Sequence, residues 1–221
     1  NGGVPKAFGP NDPGCIQSVS TYVNVIATPT NLSCNDQVYV ALGDDCTEAL
    51  NPDGVLEGTY GCFDDYILEI DKTVPFGDGP WQPGVFVTAD IGRTYQTRVT
   101  HLVSGNKCWG LVTVEDKLAP VLSCQNFDIP CNTPNVTPQY LQNTLGIGIA
   151  FPGFIDCQSV TLSWIDNETN QNCASGLTKI ITRKWTATDE SGNTSTCEQL
   201  IGLIRPALSD VILPPDYDGF D

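Results

Sequence analysis

Apolar and polar positions alternate along this chain in short runs, and turn residues separate the runs. Cys108-Trp109-Gly110-Leu111-Val112-Thr113-Val114 is the plainest case, an alternation of the kind a half-buried strand needs, introduced by the turn residues Ser104-Gly105-Asn106. The same pattern predicts strands over 37–42, 65–70, 84–88, 95–103 and 108–115 in the first half. In the second half it predicts strands over 121–129, 147–154, 159–166, 177–188 and 194–204. No segment sustains a 3.6-residue apolar period, and the one helix-like piece is 137–145, where Pro138 suits a first-turn position. Gly43-Asp44-Asp45, Asn51-Pro52-Asp53-Gly54 and Pro75-Phe76-Gly77-Asp78-Gly79-Pro80 supply turn chemistry between runs. Many short strands joined by turns predict an all-β chain built as sandwiches.

Val114-Glu115-Asp116-Lys117-Leu118-Ala119-Pro120 lies near the middle and reads as a joint between two similar halves. Pro120 cannot donate to a sheet ladder and is tolerated at the first residue of a strand, so the chain is expected to leave one sheet here and enter another. Each half closes with the same grammar: Ser104-Gly105-Asn106, a strand and Pro120, then Ser191-Gly192-Asn193, a strand and Pro206. The pattern is that of a tandem repeat. The expected organisation is an extended arm over 1–17, rich in Gly and Pro, a sandwich over 18–117, a second over 118–206 and a tail over 207–221. Cys15 and the alternating run 16–28 are expected to open the first sandwich.

Composition narrows the function classes. With 221 residues the chain has room for two ordinary domains. Its net charge of -16, from 26 acidic and 10 basic residues, excludes nucleic acid and anionic membrane surfaces as partners held by charge. No apolar stretch approaches about 20 residues, so membrane insertion is not expected. The ten cysteines are scattered and form no C-x-x-C pair, which favours disulfides and a secreted, extracellular protein over zinc or redox motifs. Five (15, 34, 46, 62, 108) precede the joint and five (124, 131, 157, 173, 197) follow it. Complete oxidation then requires a bridge between halves or between chains, and Cys15, in the arm, is the candidate for an intermolecular one. The chain has no Met and no signal peptide, as expected of a processed or excised form.

Catalysis is not expected. His101 is the only histidine and sits within a strand; neither a phosphate loop nor H-E-x-x-H is present, and no free thiol is expected. The carboxylate pairs Asp44-Asp45 and Asp64-Asp65 have nothing to set them across a cleft.

Several stretches resemble a known family. Asn35-Asp36-Gln37-Val38, Tyr60-Gly61-Cys62-Phe63-Asp64-Asp65-Tyr66, Ala89-Asp90-Ile91-Gly92, Gly105-Asn106-Lys107-Cys108-Trp109-Gly110 and the joint are similar to repeat modules of very large secreted Bacteroidota surface proteins. Arg183-Lys184-Trp185-Thr186-Ala187-Thr188-Asp189-Glu190-Ser191-Gly192-Asn193 resembles the hyalin-repeat (HYR-like) module of the same proteins, as does 210–221. The resemblance covers most of 30–221 and leaves the arm outside. It implies two tandem Ig-like β-sandwich domains, surface display or secretion, and a structural or adhesive role without enzymatic activity.

In an Ig-like sandwich the turn between the last two strands sits at the pole where the first strand enters. Asp189 and Asn193 are then expected to face Glu115 and Asp116, and these four residues form the candidate calcium site, since a hard cation takes several converging oxygens. The competing reading is an ordinary hairpin turn beside a solvated hinge. Asp64-Asp65 and 216–221 are weaker candidates, and no organic cofactor is implied. Asn31, Asn135, Asn167 and Asn193 open N-x-S/T acceptor sequences for glycosylation. Trp109 and Trp185 are expected in cores, whereas Trp81 lies in a loop and is the residue placed to stack on a sugar. The expected bridges are Cys34–Cys46, Cys62–Cys108, Cys157–Cys173, and Cys197 with either Cys124 or Cys131.

Two functions fit these features. One is a structural subunit of an extracellular filament or fibre, a homopolymer assembled head to tail by strand addition from a terminal arm. The other is a ligand- or glycan-binding adhesin module, excised from a long cell-surface protein, whose loops bind surface glycans.

Overall fold

The computed structural model describes residues 31–172 and 176–205. The arm, the run 16–28, the tail over 207–221, Cys15 and Cys173 lie outside the described residues. In chain order the first half holds β1 (Gln37–Ala41), β2 (Thr47–Ala49), the one-turn helix α1 (Pro52–Val55), β3 (Tyr66–Asp71), β4 (Trp81–Pro83), β5 (Val85–Val87), β6 (Thr94–His101) and β7 (Lys107–Glu115). The second half holds β8 (Val121–Ser123), β9 (Phe127–Pro130), α2 (Pro138–Leu145), β10 (Gly153–Ile155), β11 (Thr161–Asn170), β12 (Leu177–Thr188) and β13 (Thr194–Ile204). The chain is all-β in character, two tandem Ig-like sandwiches on either side of the joint.

The first sandwich sets a five-stranded sheet, in the order β1-β7-β6-β3-β4, against the two-stranded sheet β2-β5. Alternation explains the packing: on β7, Cys108, Gly110, Val112 and Val114 point inward. They meet Ile70 of β3, Tyr95 of β6 and Phe86 of β5 in one core, which Cys34, Val55, Tyr66 and Val99 extend. β1 pairs with β7 in parallel, Gln37 opposite Leu111. The crossing chain presses the Asn35 carbonyl oxygen onto Gly110, where a Cβ would overlap it. Gly110→Ala is therefore expected to destabilise by about 2–3 kcal/mol, the cost of overpacking against backbone. Urea unfolding checks this, and a cost below 0.5 kcal/mol would show that the entry segment yields.

The second sandwich repeats the plan. Its sheet runs β11-β12-β13-β9, with β9 parallel to β13 and Phe127 opposite Ile201. Leu141 of α2 and Ala150 of a short 3-10 turn cover Ile129, Ile181, Ile201 and Leu203, while β8 and β10 form a small separate pair. α2 begins at Pro138 and ends at Gly146, whose φ of 69° is the left-handed conformation that stops helices. Buried Gln199 is fully paired: its Nε2 donates to the carbonyls of Gln125 and Ile149, each at 2.8 Å, and its Oε1 accepts from Trp185 Nε1 at 3.1 Å.

The disulfides reveal how closely the halves correspond. Cys34, three residues before β1, joins Cys108 on β7; Cys124, three residues before β9, joins Cys197 on β13. The sequence separations are 74 and 73. The third bridge, Cys46–Cys157, crosses between the sandwiches. These pairings replace the expected Cys34–Cys46, Cys62–Cys108 and Cys157–Cys173, because the segment before each parallel strand lies against the last strand and brings its cysteine there. Of the two partners left open for Cys197, the structure uses Cys124. Cys62 and Cys131, expected as half-cystines, are free thiols among the described residues.

Other expectations are corrected as well. The run 121–129 breaks into β8 and β9 because the chain changes sheets at Cys124. Most of 147–154 is the 3-10 turn Gly148–Ala150 followed by β10. β2, β4 and α1 were not anticipated, being too short to show a period. Trp109 is 51% exposed, since it belongs to the outward-facing set of β7.

Two buried carboxylates brace the first sandwich. Asp71 accepts from the backbone N–H groups of Thr73, Gly77 and Gly79 at 2.9, 2.8 and 3.1 Å, fixing the loop before β4. The bonds from Gly77 and Thr73 hold its carboxyl below the usual range. Burial alone would raise Asp90, but hydrogen bonds from Lys72 (2.6 Å), Tyr95 (2.7 Å) and the Val87 N–H (3.0 Å) outweigh it and the carboxyl is lowered. A lowered folded pKa gives stability that is full above the unfolded carboxylate value of about 3.9 and is lost as pH falls through the folded value. The melting temperature is thus expected to drop steeply below about pH 4. Asp71→Asn should flatten that drop, and an unchanged acid limb would count against the assignment.

Candidate metal centre

Three carboxylates converge where the sandwiches meet. Ligand oxygens of Asp116, Asp156 and Asp189 all lie within 4.8 Å of one another. Asp116 follows the end of β7, Asp156 follows β10, and Asp189 opens the β12–β13 turn, so the strand ends of both sandwiches deliver them. Local turns orient each group. Asp116 Oδ1 accepts from the Leu118 N–H at 3.1 Å, and Asp156 Oδ1 accepts from the Gln158 N–H at 2.7 Å. Asp189 Oδ1 accepts from the Asn193 N–H at 2.7 Å, across a turn in which Gly192 takes a φ of 89°.

Asn193 acts as a fastener: its Nδ2 donates to Asp189 Oδ2 at 2.8 Å and to the Asp116 carbonyl at 3.2 Å. The hydroxyl of Ser195 donates to the Pro120 carbonyl, and that of Ser191 donates to Gln158 Oε1 at 2.6 Å. The Cys46–Cys157 bridge adds a covalent tie one residue from Asp156. A cavity of about 310 Å³ opens beside the cluster, lined by Asp44, Asp116, Leu118, Val121, Ile155 and Asp156.

The donor set suits a hard divalent cation. Asp116 is 5% exposed, and its Oδ2 is buried without a hydrogen-bond partner. Burial, followed by the charges of Asp156 and Asp189, pushes its carboxyl above the usual range against the opposing Leu118 bond. None of the described ion pairs reaches the three aspartates. A buried anion facing two more costs free energy unless a cation is shared among them. Calcium fits: it takes carboxylates, carbonyls and water in flexible arrangements, whereas the cluster offers no nitrogen or sulfur donor.

Of the four residues proposed from sequence, the structure brings Asp116, Asp189 and Asn193 together. Glu115 turns instead to Lys117, at 3.2 Å, outside the cluster. Asp156 was missed, and its only sequence signal was its place beside a cysteine whose partner spacing does not reveal. Asn31, Asn135 and Asn167 are exposed, whereas the Asn193 amide is engaged in the joint. One face of Trp81 is covered by the Arg98 guanidinium, 4.0 Å from the ring centre. His101 is buried, bonded through Nδ1 to Ser104 Oγ at 2.8 Å and packed on Tyr66.

No protein-family model matches the chain, and none of the curated proteins matches it. Among solved structures it is similar to human mucin-like protocadherin EC1-2, with 13% identity over 80% of this chain and 100% of that one and a TM-score of 0.30. It is similar to Drosophila N-cadherin EC1-3, with 12% identity over 80% and 67% of the two chains and a TM-score of 0.30. It is also similar to the endo-fucoidan hydrolase MfFcnA4 from glycoside hydrolase family 107, with 14% identity over 82% and 30% and a TM-score of 0.25. Likeness this distant carries no residue or ligand across, and the tandem sandwich rests on the sheets, their register and the repeated bridge described above.

Proposed function

We propose that this chain is a structural subunit of an extracellular filament, a rod of two sandwiches locked at a calcium-binding joint. The observation that carries the reading is the joint itself, where a disulfide and three converging aspartates, one with an unpartnered buried oxygen, fix the two halves against each other. Three disulfides suit an oxidising, extracellular setting. Rigid units repeated by a rotation that does not close give filaments. The resemblance to HYR-like modules of secreted Bacteroidota proteins supports the same role. Trp81, with one face covered by Arg98, lends little to a glycan-binding alternative.

Electron microscopy of the non-reduced chain, with calcium and then with a chelator, tests the proposal. Regular filaments in calcium that soften or dissolve in chelator are the expected result. Monodisperse particles under both conditions overturn the filament, and no calcium detected by equilibrium dialysis overturns the calcium joint.

A further inference from the structure

The longest free sheet edge among the described residues belongs to β11. This strand has ten residues, pairs with β12 on one side and pairs with no described strand on the other. Natural edges are blunted by Lys, Pro, bulges or brevity. β11 carries no Lys, Pro or Gly, and its register with β12 runs unbroken from Thr161 opposite Thr188 to Asn170 opposite Lys179. Its two charges are already engaged, Asp166 with Arg183 at 2.8 Å and Glu168 with Lys179 at 2.6 Å. Ile165 stands 78% exposed in its middle. The remaining edges are shorter: β1 has five residues, while β4 and β9 have three and four and each ends in Pro.

We propose that β11 accepts, as an added strand, the segment 16–28 of a second copy of this chain. The inference rests on the filament reading and names its contact. The segment, Ile16-Gln17-Ser18-Val19-Ser20-Thr21-Tyr22-Val23-Asn24-Val25-Ile26-Ala27-Thr28, is uncharged, free of Gly and Pro, and rich in β-branched residues. It covers all ten positions of β11, and an uncharged strand adds no repulsion at a site holding two carboxylates in a chain of net charge -16.

Head-to-tail alignment favours a second copy as the source, because each such contact leaves a free segment and a free edge for the next.

Three chains test the contact by sedimentation and electron microscopy in calcium: the full chain, the full chain with Ile165→Lys, and a chain lacking 1–28. The substitution lies at an exposed position, and retained thermal melting confirms its fold. The full chain is expected to polymerise, and each altered chain to stay monomeric alone. Mixed in equal amounts, the altered chains should form dimers and nothing longer, because one can only donate and the other only accept. Polymers of the Ile165→Lys chain, or a mixture that stays monomeric while the full chain polymerises, overturn the contact and leave the filament reading standing. If the full chain itself stays monomeric the filament reading fails. A synthetic 16–28 peptide then decides the edge alone: saturable one-to-one binding to the chain lacking 1–28, lost with Ile165→Lys, upholds it, and no binding overturns it.

Discussion

Arg183→Ala is expected to destabilise the second sandwich by about 2–5 kcal/mol, because it empties the space of a fully buried side chain and takes the donor from the Val136 carbonyl. Arg183 is fully buried in the middle of β12. Its guanidinium donates to both oxygens of Asp166 at 2.8 Å and to the Val136 carbonyl at 2.6 Å, while Nη1 is buried without a partner. The rings of Trp164 and Trp185 lie 5.8 and 5.9 Å from it. The bonds tie β11 and the segment before α2 to the central strand, so their loss loosens three elements together. Denaturant unfolding followed by tryptophan fluorescence reads the effect directly. Arg183→Met with Asp166→Asn removes both charges and keeps most of the volume, so it should recover most of the loss, because the space inside the fold stays filled. If the single alanine change costs under about 1 kcal/mol, Arg183 neither packs nor braces the fold.

What the sequence disclosed follows from what a period can encode. β6, β7, β12 and β13 are long enough for alternation to mark them, and their ends differ from expectation by no more than two residues. Alternation does not say which of its two sets faces inward, and Trp109 was misplaced for that reason. Its own strand held the answer, because Gly110, Val112 and Val114 share a parity that Trp109 does not. The joint was legible because turn chemistry and a proline mark it, and the placing of Asp189 opposite Asp116 then followed from sandwich topology. Asp156 was not legible, since its approach depends on the pairing of β10 with β8 and on the Cys46–Cys157 bridge, both set by three-dimensional packing. The bridges Cys34–Cys108 and Cys124–Cys197 did leave a trace, the repeated Leu-Ser-Cys followed by a cysteine 74 and 73 residues on. Matching halves by that triplet, and not by their turns, would have exposed it.

Removing both fasteners from the joint is expected to split one unfolding transition into two. The Cys46–Cys157 bridge spans 111 residues, and the chain-entropy relation gives a loop of that size about 4–5 kcal/mol. Calcium at a hundredfold excess over its Kd adds about 2.7 kcal/mol by mass action. Each kcal/mol moves Tm by about 2–4 °C in a chain of this size. With bridge and calcium in place, scanning calorimetry should show one cooperative transition. In Cys46→Ser/Cys157→Ser with chelator the sandwiches should melt separately and at lower temperatures. Asp116 isolates the metal's share. Its raised carboxyl binds a proton more tightly in the folded state, so metal-free stability declines as pH rises through that value. Asp116→Asn removes this penalty along with an oxygen ligand. The variant is therefore expected to melt above the wild type in chelator and below it in calcium, a crossing that simple loss of packing does not produce. A wild-type chain whose melting ignores calcium would leave the three aspartates as an acidic surface between two domains joined by a disulfide alone.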